Sequence, residues 1–121
     1  MLRGINAERA KHGLRPLRLA PSLRRVAGSH SRYMARVKRL RHASADGTSA
    51  TRGIRRAMRL RRTGEAIAFA GTARALVKAW MASPPHRRLL LSRSFRVIGV
   101  GVARGSYQSY RVVYATADLG A

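Results

Sequence analysis

Apolar residues recur at intervals of three and four over much of the first half of the chain, the spacing of helices that bury one face. This spacing predicts a first helix over residues 2–12, which Gly13 and Pro16 bring to an end. A second helix is predicted to begin at Pro21, because proline is favoured in the first turn of a helix. The apolar face of this second helix is formed by Leu23, Val26, Ala27, His30 and Met34. His30 is therefore expected to be a core histidine rather than a ligand.

The middle of the chain predicts a loop followed by shorter helices. Residues 39–50 are expected to form a loop with a tight turn at Asp46-Gly47, because these residue types supply local hydrogen bonds and positive φ. A short basic helix is expected after this loop. Thr72 is predicted to cap the next helix, and Ser83 is predicted to cap a further short turn behind it.

The last third of the chain changes to the patterns of β-strands. Apolar residues alternate with small ones over residues 97–102, and residues 107–116 are rich in β-branched and aromatic side chains. These segments predict two antiparallel strands joined by a turn near Arg104-Gly105-Ser106. Helices first and a hairpin last predict an α+β domain, in which helices pack on a small antiparallel sheet.

Composition adds an extreme positive charge to this picture. The length of 121 residues suits one domain with its own core. The chain has 26 Lys and Arg against four Asp and Glu, a formal net charge of +22. Such a field attracts nucleic acid, anionic polymers and anionic lipid headgroups with little selectivity. A genomic bias toward arginine accounts for the excess equally well. Specific nucleic-acid recognition is not expected, because aromatic residues are only 6% of the chain and no such motif occurs.

Some of the arginines occur at regular intervals along the chain. Arginines recur at intervals of three and four after the predicted loop, at Arg52, Arg55, Arg56, Arg59 and Arg62. A single helix over this segment would carry them as a continuous basic stripe. Because a guanidinium group pairs with phosphate or carboxylate at two points, the stripe suits an anionic cell-envelope polymer or a lipid headgroup. A solvated basic face without a dedicated partner explains the same pattern.

Several motifs in order along nearly the whole chain point to a known family. The longest are SPPHRRLLL at residues 83–91 and FRVIGVGVA at residues 95–103, and they follow shorter motifs at residues 5–9, 41–42, 64–65 and 79–81. Together they resemble bacterial domains of the CAP (SCP-like) superfamily, related to cysteine-rich secretory, antigen-five and pathogenesis-related proteins. The resemblance implies one domain over residues 1–121, folded as a three-layer α-β-α sandwich. It also implies that this domain belongs to a longer exported protein.

The same resemblance implies a cleft built from three residues. His42 and His86 match the family's two histidines and Glu65 its first carboxylate, whereas Ser83 stands where many eukaryotic relatives have a second acid. We expect these three to be the metal ligands if a divalent metal such as Zn²⁺ binds, since imidazole and carboxylate suit that ion. With Glu65 as a general base they would be the catalytic residues of a hydrolase. The alternative is a buried, hydrogen-bonded cluster that holds the loops together.

The resemblance therefore implies a secreted or cell-envelope protein, expected to be a monomer, whose export signal lies outside this sequence. We expect a binding or interaction module whose His/Glu cleft takes a small ligand or a divalent metal. Two alternatives remain open: a metal-assisted hydrolase of the protease or esterase kind, and a polyanion-binding module that uses the arginine-rich surface. Whether the protein is an enzyme is left undecided by the sequence.

Overall fold

The computed structural model describes residues 1–43 and 52–121. The helices of this part are α1 (Leu2–Lys11), α2 (Pro21–Val37), α3 (Arg52–Ala57), α4 (Ala73–Ala82) and α5 (Pro84–Leu90). Its strands are β1 (Arg18–Leu19), β2 (Thr63–Ala70), β3 (Val97–Tyr107) and β4 (Tyr110–Gly120). The predicted turn at Asp46-Gly47 lies outside the described residues.

The four strands form one sheet in the order β1-β3-β4-β2. β3 and β4 make a long hairpin whose antiparallel register runs from Val97 opposite Gly120 to Tyr107 opposite Tyr110. β2 runs antiparallel along the other side of β4. The two-residue strand β1 pairs with β3 in parallel. The two predicted antiparallel strands are thus confirmed as the β3–β4 hairpin, and the sheet also contains β2 and the short parallel strand β1, which were not predicted.

Helix α2 covers one face of the sheet at an unusually short distance. A Cβ atom on Gly99 would lie 2.1 Å from the backbone nitrogen of Arg24, and one on Gly101 would lie 2.1 Å from that of Gly28. Contacts this short are impossible for any residue with a side chain, so both glycines are required by the close approach of backbone to backbone. The Ser31 hydroxyl adds a hydrogen bond of 2.9 Å to the carbonyl oxygen of Gly101.

Helices α1, α4 and α5 cover the opposite face and enclose the main core. The buried members of this core are Ile5, Leu17, Ala66, Leu76, Trp80, Leu90, Phe95, Ile98, Ala115, Ala117 and Leu119. With α2 on one side and these helices on the other, the sheet is the middle of three layers. The α-β-α sandwich expected from the resemblance is confirmed. No helix in residues 1–43 or 52–121 is long and apolar enough to cross a membrane.

A buried arginine joins α1 to the segment that follows α5. Arg9 is only 2% exposed, and its guanidinium group donates to the carbonyl oxygens of Arg15 at 2.8 Å, Leu90 at 2.8 Å and Ser92 at 2.9 Å. Burial lowers the pKa of Arg9. Because one planar group satisfies three backbone acceptors, Arg9 is a structural connection rather than part of the basic surface.

One local expectation is wrong, and another is confirmed only for the position of the residue. The hairpin turn is not at Arg104-Gly105-Ser106 but at residues 108–109, where Gln108 has a φ of 54°. Gly105 lies inside β3, and a Cβ there would come within 3.1 Å of the Tyr114 ring. The glycine thus signals close packing and not a turn. Ser83 does lie at the start of α5, but its side chain makes no capping hydrogen bond in the described structure.

The continuous arginine stripe is also wrong as a feature of one helix. α3 ends at Ala57, Arg59 has a left-handed φ of 54°, and Arg62 lies in the segment that leads into β2. The backbone nitrogens of Arg61 and Arg62 donate to the carbonyl oxygen of Ala121, which turns this segment toward the sheet. The arginines therefore do not project from one helix face.

Candidate functional site

The three residues of the expected cleft come from three different elements. His42 lies in the segment after α2, Glu65 is the third residue of β2, and His86 is in the first turn of α5. β2 was not assigned as a strand from the sequence, yet it is the element that fixes Glu65. Its antiparallel pairing with β4 sets the direction of the Glu65 side chain, because residues alternate between the two faces of a sheet.

His42 and Glu65 are in direct contact. The Nδ1 atom of His42 lies 3.0 Å from Oε1 of Glu65. Because an ionised carboxylate only accepts, Nδ1 donates in this contact, and Nε2 is the ring nitrogen that the contact leaves unused. The Glu65 side chain is 11% exposed, whereas that of His42 is 65% exposed. The expectation of a wholly buried cluster is therefore wrong for His42, which is an exposed imidazole oriented by a nearly buried carboxylate.

His30 supports the same carboxylate from the interior. Its ring nitrogen Nε2 donates to the carbonyl oxygen of Arg41 and lies 4.0 Å from Oε1 of Glu65. His30 is 3% exposed. The expectation of a satisfied core histidine is confirmed, and the bond to Arg41 also fixes the chain just before His42.

His86 completes the pair of histidines. Burial and, second, the nearby His42 lower the pKa of His86 below its ordinary value. The ring is therefore neutral over a wider pH range than a free histidine, and a neutral imidazole can accept a hydrogen bond or coordinate a metal. The two histidines are thus close enough to influence each other electrostatically, although they come from opposite sides of the sheet.

A second acid, Asp118, lies beside Glu65 and was missed by the sequence reasoning. The two are directly opposite in the pairing of β2 with β4, and Asp118 is 0% exposed. Burial, a hydrogen bond to Glu65 and the charge of Glu65 raise the pKa of Asp118 to about 9. Asp118 thus carries a proton at neutral pH, which it shares with Glu65. The available signal was a single acid inside the apolar strand sequence ATADL at residues 115–119.

If a divalent metal binds here, it would be held by two ring nitrogens. His42 and His86 could act as ligands, and Glu65 would orient His42, as carboxylates do behind metal-bound histidines. Among the residues that the structure describes, no three His, Asp or Glu side chains are placed to hold one ion together. Ser83 is half-buried at the start of α5. Binding of Zn²⁺ stays a prediction.

The basic residues predicted as a surface are only partly assembled. Arg52, Arg55, Arg59 and Arg62 are exposed. The guanidinium group of Arg55 donates to the carbonyl oxygen of Arg61 at 3.1 Å, and that of Arg62 donates to the Ser94 hydroxyl at 2.7 Å. The Arg56 side chain lies outside the described part. Arg55 and Arg62 therefore already use hydrogen-bond donors within the fold, and an anion would have to compete for those donors.

The family match agrees with this geometry. The model of the CAP family, described as the cysteine-rich secretory protein family, matches residues 2–119. The chain belongs to this family. It is 36% identical over 98 residues to the uncharacterized protein YkwD of Bacillus subtilis (strain 168), a match that covers 79% of this chain. That match covers 38% of YkwD, so the chain spans well under half of this relative.

Solved structures show the same fold. An extracellular protein containing an SCP domain from Bacillus anthracis superposes with a TM-score of 0.79 at 24% identity, over 96% of this chain and 37% of that one. An outer surface protein from Borrelia burgdorferi superposes with a TM-score of 0.78 at 21% identity, over 98% of this chain and 87% of that one. At these identities the likeness establishes the fold alone.

Proposed function

We propose that this CAP domain is an extracytoplasmic binding module of the cell envelope, whose cleft engages a small ligand or a divalent metal through His42. The observation that carries the proposal is the 3.0 Å contact between Nδ1 of His42 and Oε1 of Glu65. It fixes the tautomer and the ring orientation, and it leaves the Nε2 lone pair of an exposed ring as the group that meets a ligand. The extracellular and outer-surface descriptions of structural neighbours support the location.

Each residue of the cleft has a distinct role in this proposal. His42 accepts a hydrogen bond from a ligand hydroxyl or amide, or serves as one nitrogen ligand of a metal. His86 offers a second neutral nitrogen, because its pKa is lowered. Glu65 orients His42 and does not itself meet the ligand, since its side chain is 11% exposed. Asp118 holds Glu65 from behind through the proton that the two acids share.

A titration of Zn²⁺ into the purified domain by calorimetry tests the proposal. We expect one saturable site in the wild type and in His12→Ala, which removes the exposed histidine that follows α1. His42→Ala should abolish binding, and Glu65→Gln should weaken it by about 10- to 100-fold, the usual effect of losing an orienting carboxylate. Equal binding by wild type and His42→Ala would contradict the role of the cleft. No binding to the wild type would contradict the metal form of the proposal.

A polyanion-binding function is the second candidate, because 26 basic residues oppose four acids. Binding of this kind would fall steeply with salt and would be unaffected by His42→Ala. The hydrolase alternative has weaker support. Glu65, the general base of that alternative, is only 11% exposed and its Oε1 contacts His42, which restricts its access to a substrate water. Turnover of esters or peptides that disappears in Glu65→Gln would favour the hydrolase.

A further inference from the structure

Three of the six large exposed apolar or aromatic side chains of the described residues lie near one end of the fold. Helix α2 runs in the same direction as β3, since Gly101 packs on the α2 backbone at Gly28 and Gly105 packs on Ala35. The C-terminal end of α2 therefore lies at the same end of the molecule as the β3–β4 turn. Val37, the last residue of α2, belongs to this end.

Three large apolar or aromatic side chains are exposed at this end. They are Val37 at 40%, Tyr107 at 38% and Tyr110 at 69%, and we call them the turn-end patch. The patch has a fixed geometry, because the Tyr107 ring packs on Phe69 at 4.7 Å between centroids. The hydroxyl of Tyr114 also donates to the carbonyl oxygen of Ser106 at 2.8 Å, which holds the hairpin just before its turn.

The chain around the turn-end patch is basic throughout. Exposed cationic residues flank it in sequence: Arg36, Lys38 and Arg39 lie around the end of α2, on the side of the sheet that carries Tyr107 and Tyr110, whereas Arg104 and Arg111 alternate to the opposite face of the hairpin. The acids of the described residues lie elsewhere: Glu8 is in α1, and Glu65 pairs with Asp118 toward the far end of β4. This end of the fold thus combines exposed aromatic rings with guanidinium groups and has no compensating carboxylate from the described residues.

This combination fits a surface that is anionic outside and apolar beneath. Tyrosine rings prefer the boundary between headgroups and acyl chains, where the ring is in an apolar layer and the hydroxyl group is hydrated. Basic residues next to them gain from the negative potential of anionic lipids. A soluble polyanion without bases, such as polyphosphate, would use arginines anywhere on a surface of net charge +22 and would gain nothing from exposed rings. We propose that the turn-end patch docks on an anionic lipid bilayer, with Tyr107 and Tyr110 in the headgroup region.

Sedimentation with vesicles tests the proposal. The domain should bind vesicles of phosphatidylglycerol and phosphatidylcholine but not of phosphatidylcholine alone. Tyr110→Ser, at a position 69% exposed, should lower partitioning several-fold without unfolding the domain. Arg36→Gln with Arg39→Gln, at the end of α2 on the side of the tyrosines, should lower it at least about tenfold. The matched pair Arg87→Gln with Arg88→Gln removes the same charge from α5 and should change it less than about twofold.

The position of α5 makes this control suitable. Leu89 of α5 packs toward Gly64, whose partner on β4 is Leu119, so α5 lies at the sheet end away from the turn. Equal losses for the two arginine pairs would overturn the proposal in favour of general charge attraction. So would partitioning of Tyr110→Ser onto anionic vesicles that equals that of the wild type. His42→Ala should bind vesicles like the wild type, so failure of the cleft proposal and failure of the docking proposal are separable.

Fluorescence gives a second, independent readout. The one native tryptophan, Trp80, is 0% exposed and supplies a constant background. In Tyr110→Trp, anionic vesicles should shift the added emission to the blue, and brominated lipid should quench it. Leu19→Trp, at a position 46% exposed on β1, should show neither effect. The same shift in both variants, or no shift in Tyr110→Trp, would overturn the proposed orientation.

Discussion

At the scale of single residues, the pairing of Glu65 with Asp118 determines how the cleft is held. Neither oxygen of Asp118, nor Oε2 of Glu65, has a hydrogen-bond donor among the described residues, apart from a proton that the two acids share. Two charged carboxylates in a buried place would repel each other strongly, so one of them keeps its proton. The proton on Asp118 removes this repulsion, and Oε1 of Glu65 stays available to the Nδ1 atom of His42. Asp118, which was not predicted as a site residue, thus supports Glu65, which was.

Asp118→Asn should stabilise the protein increasingly as the pH rises. The pKa of Asp118 is higher in the folded chain than its ordinary value of 3.8, so the native state binds more protons than the unfolded state between the two values. The free energy of unfolding of the wild type therefore falls with rising pH across this window, by up to about 1.4 kcal/mol per pH unit. Asparagine does not ionise, so urea denaturation should show a growing advantage of the variant from about pH 5 to about pH 8.

The control for this experiment is Glu8→Gln, in an acid at the surface of α1 that pairs with Lys11 at 3.1 Å. The free energy of unfolding of Glu8→Gln should differ from that of the wild type by less than about 0.5 kcal/mol at every pH from about 5 to about 8. An advantage of Asp118→Asn that is the same at every pH would show that Asp118 does not hold an extra proton in the native state.

Arg9→Lys should destabilise the protein by about 2–4 kcal/mol, because an ammonium group cannot reach the three carbonyl oxygens that the guanidinium group satisfies. Because the charge is unchanged, the loss of stability reports the hydrogen-bonding geometry of the guanidinium group. Arg3→Lys is the matched control on the exposed side of the same helix and should cost less than about 0.5 kcal/mol. Equal losses in both variants, measured by chemical denaturation, would contradict the structural role of Arg9.

At the scale of elements, local pattern predicted the long helices and the hairpin strands but not their connections. The apolar periodicity of α2 was sufficient because that helix buries one face along its whole length. The hairpin turn was misplaced because Gly105 is required by the Tyr114 ring, a contact between residues on different strands. The stripe predicted for one helix failed because the chain turns at Arg59 to enter the sheet.

Local sequence pattern was likewise insufficient to predict the whole candidate site. His42, Glu65 and His86 were predicted because a family resemblance carries information about positions that are distant in sequence. Asp118 was missed because its meaning comes from strand pairing, and β2 itself was not predicted. Which acids face each other across a sheet depends on register, and no short motif specifies register.

The close packing of α2 on β3 yields a prediction at this scale. Gly101→Ala should destabilise the protein by about 3 kcal/mol or more, because the new methyl group would lie 2.1 Å from the backbone nitrogen of Gly28 and the whole helix would have to move. Gly71→Ala is the control, since a Cβ there meets no atom within 4 Å. Comparable free energies of unfolding for the two variants would contradict the close contact of α2 with the sheet.

At the scale of the whole molecule, the net charge of +22 opposes the compact state. Of the three acids in the described residues, Asp118 keeps its proton and Glu65 is nearly buried against His42, so Glu8 is the one that offsets charge at the surface. Repulsion among exposed arginines is therefore compensated by little within the described fold. The stability of the domain should therefore depend on the salt and the anions in the solution.

Sodium chloride should accordingly stabilise the domain. Between about 0.01 M and about 0.15 M salt the screening length falls from about 30 Å to about 8 Å. Salt therefore weakens the repulsion between arginines that are far apart on the surface. The native state gains more than the unfolded chain, because its charges are closer together. The free energy of unfolding and the Tm should both rise over this range. Polyphosphate at equal ionic strength should raise them further, because it bridges several guanidinium groups and binds the folded surface in preference to the unfolded chain. A Tm that is constant or falls with salt would mean that the arginines are compensated within the fold, and the surface would then attract a polyanion less than its formal charge predicts.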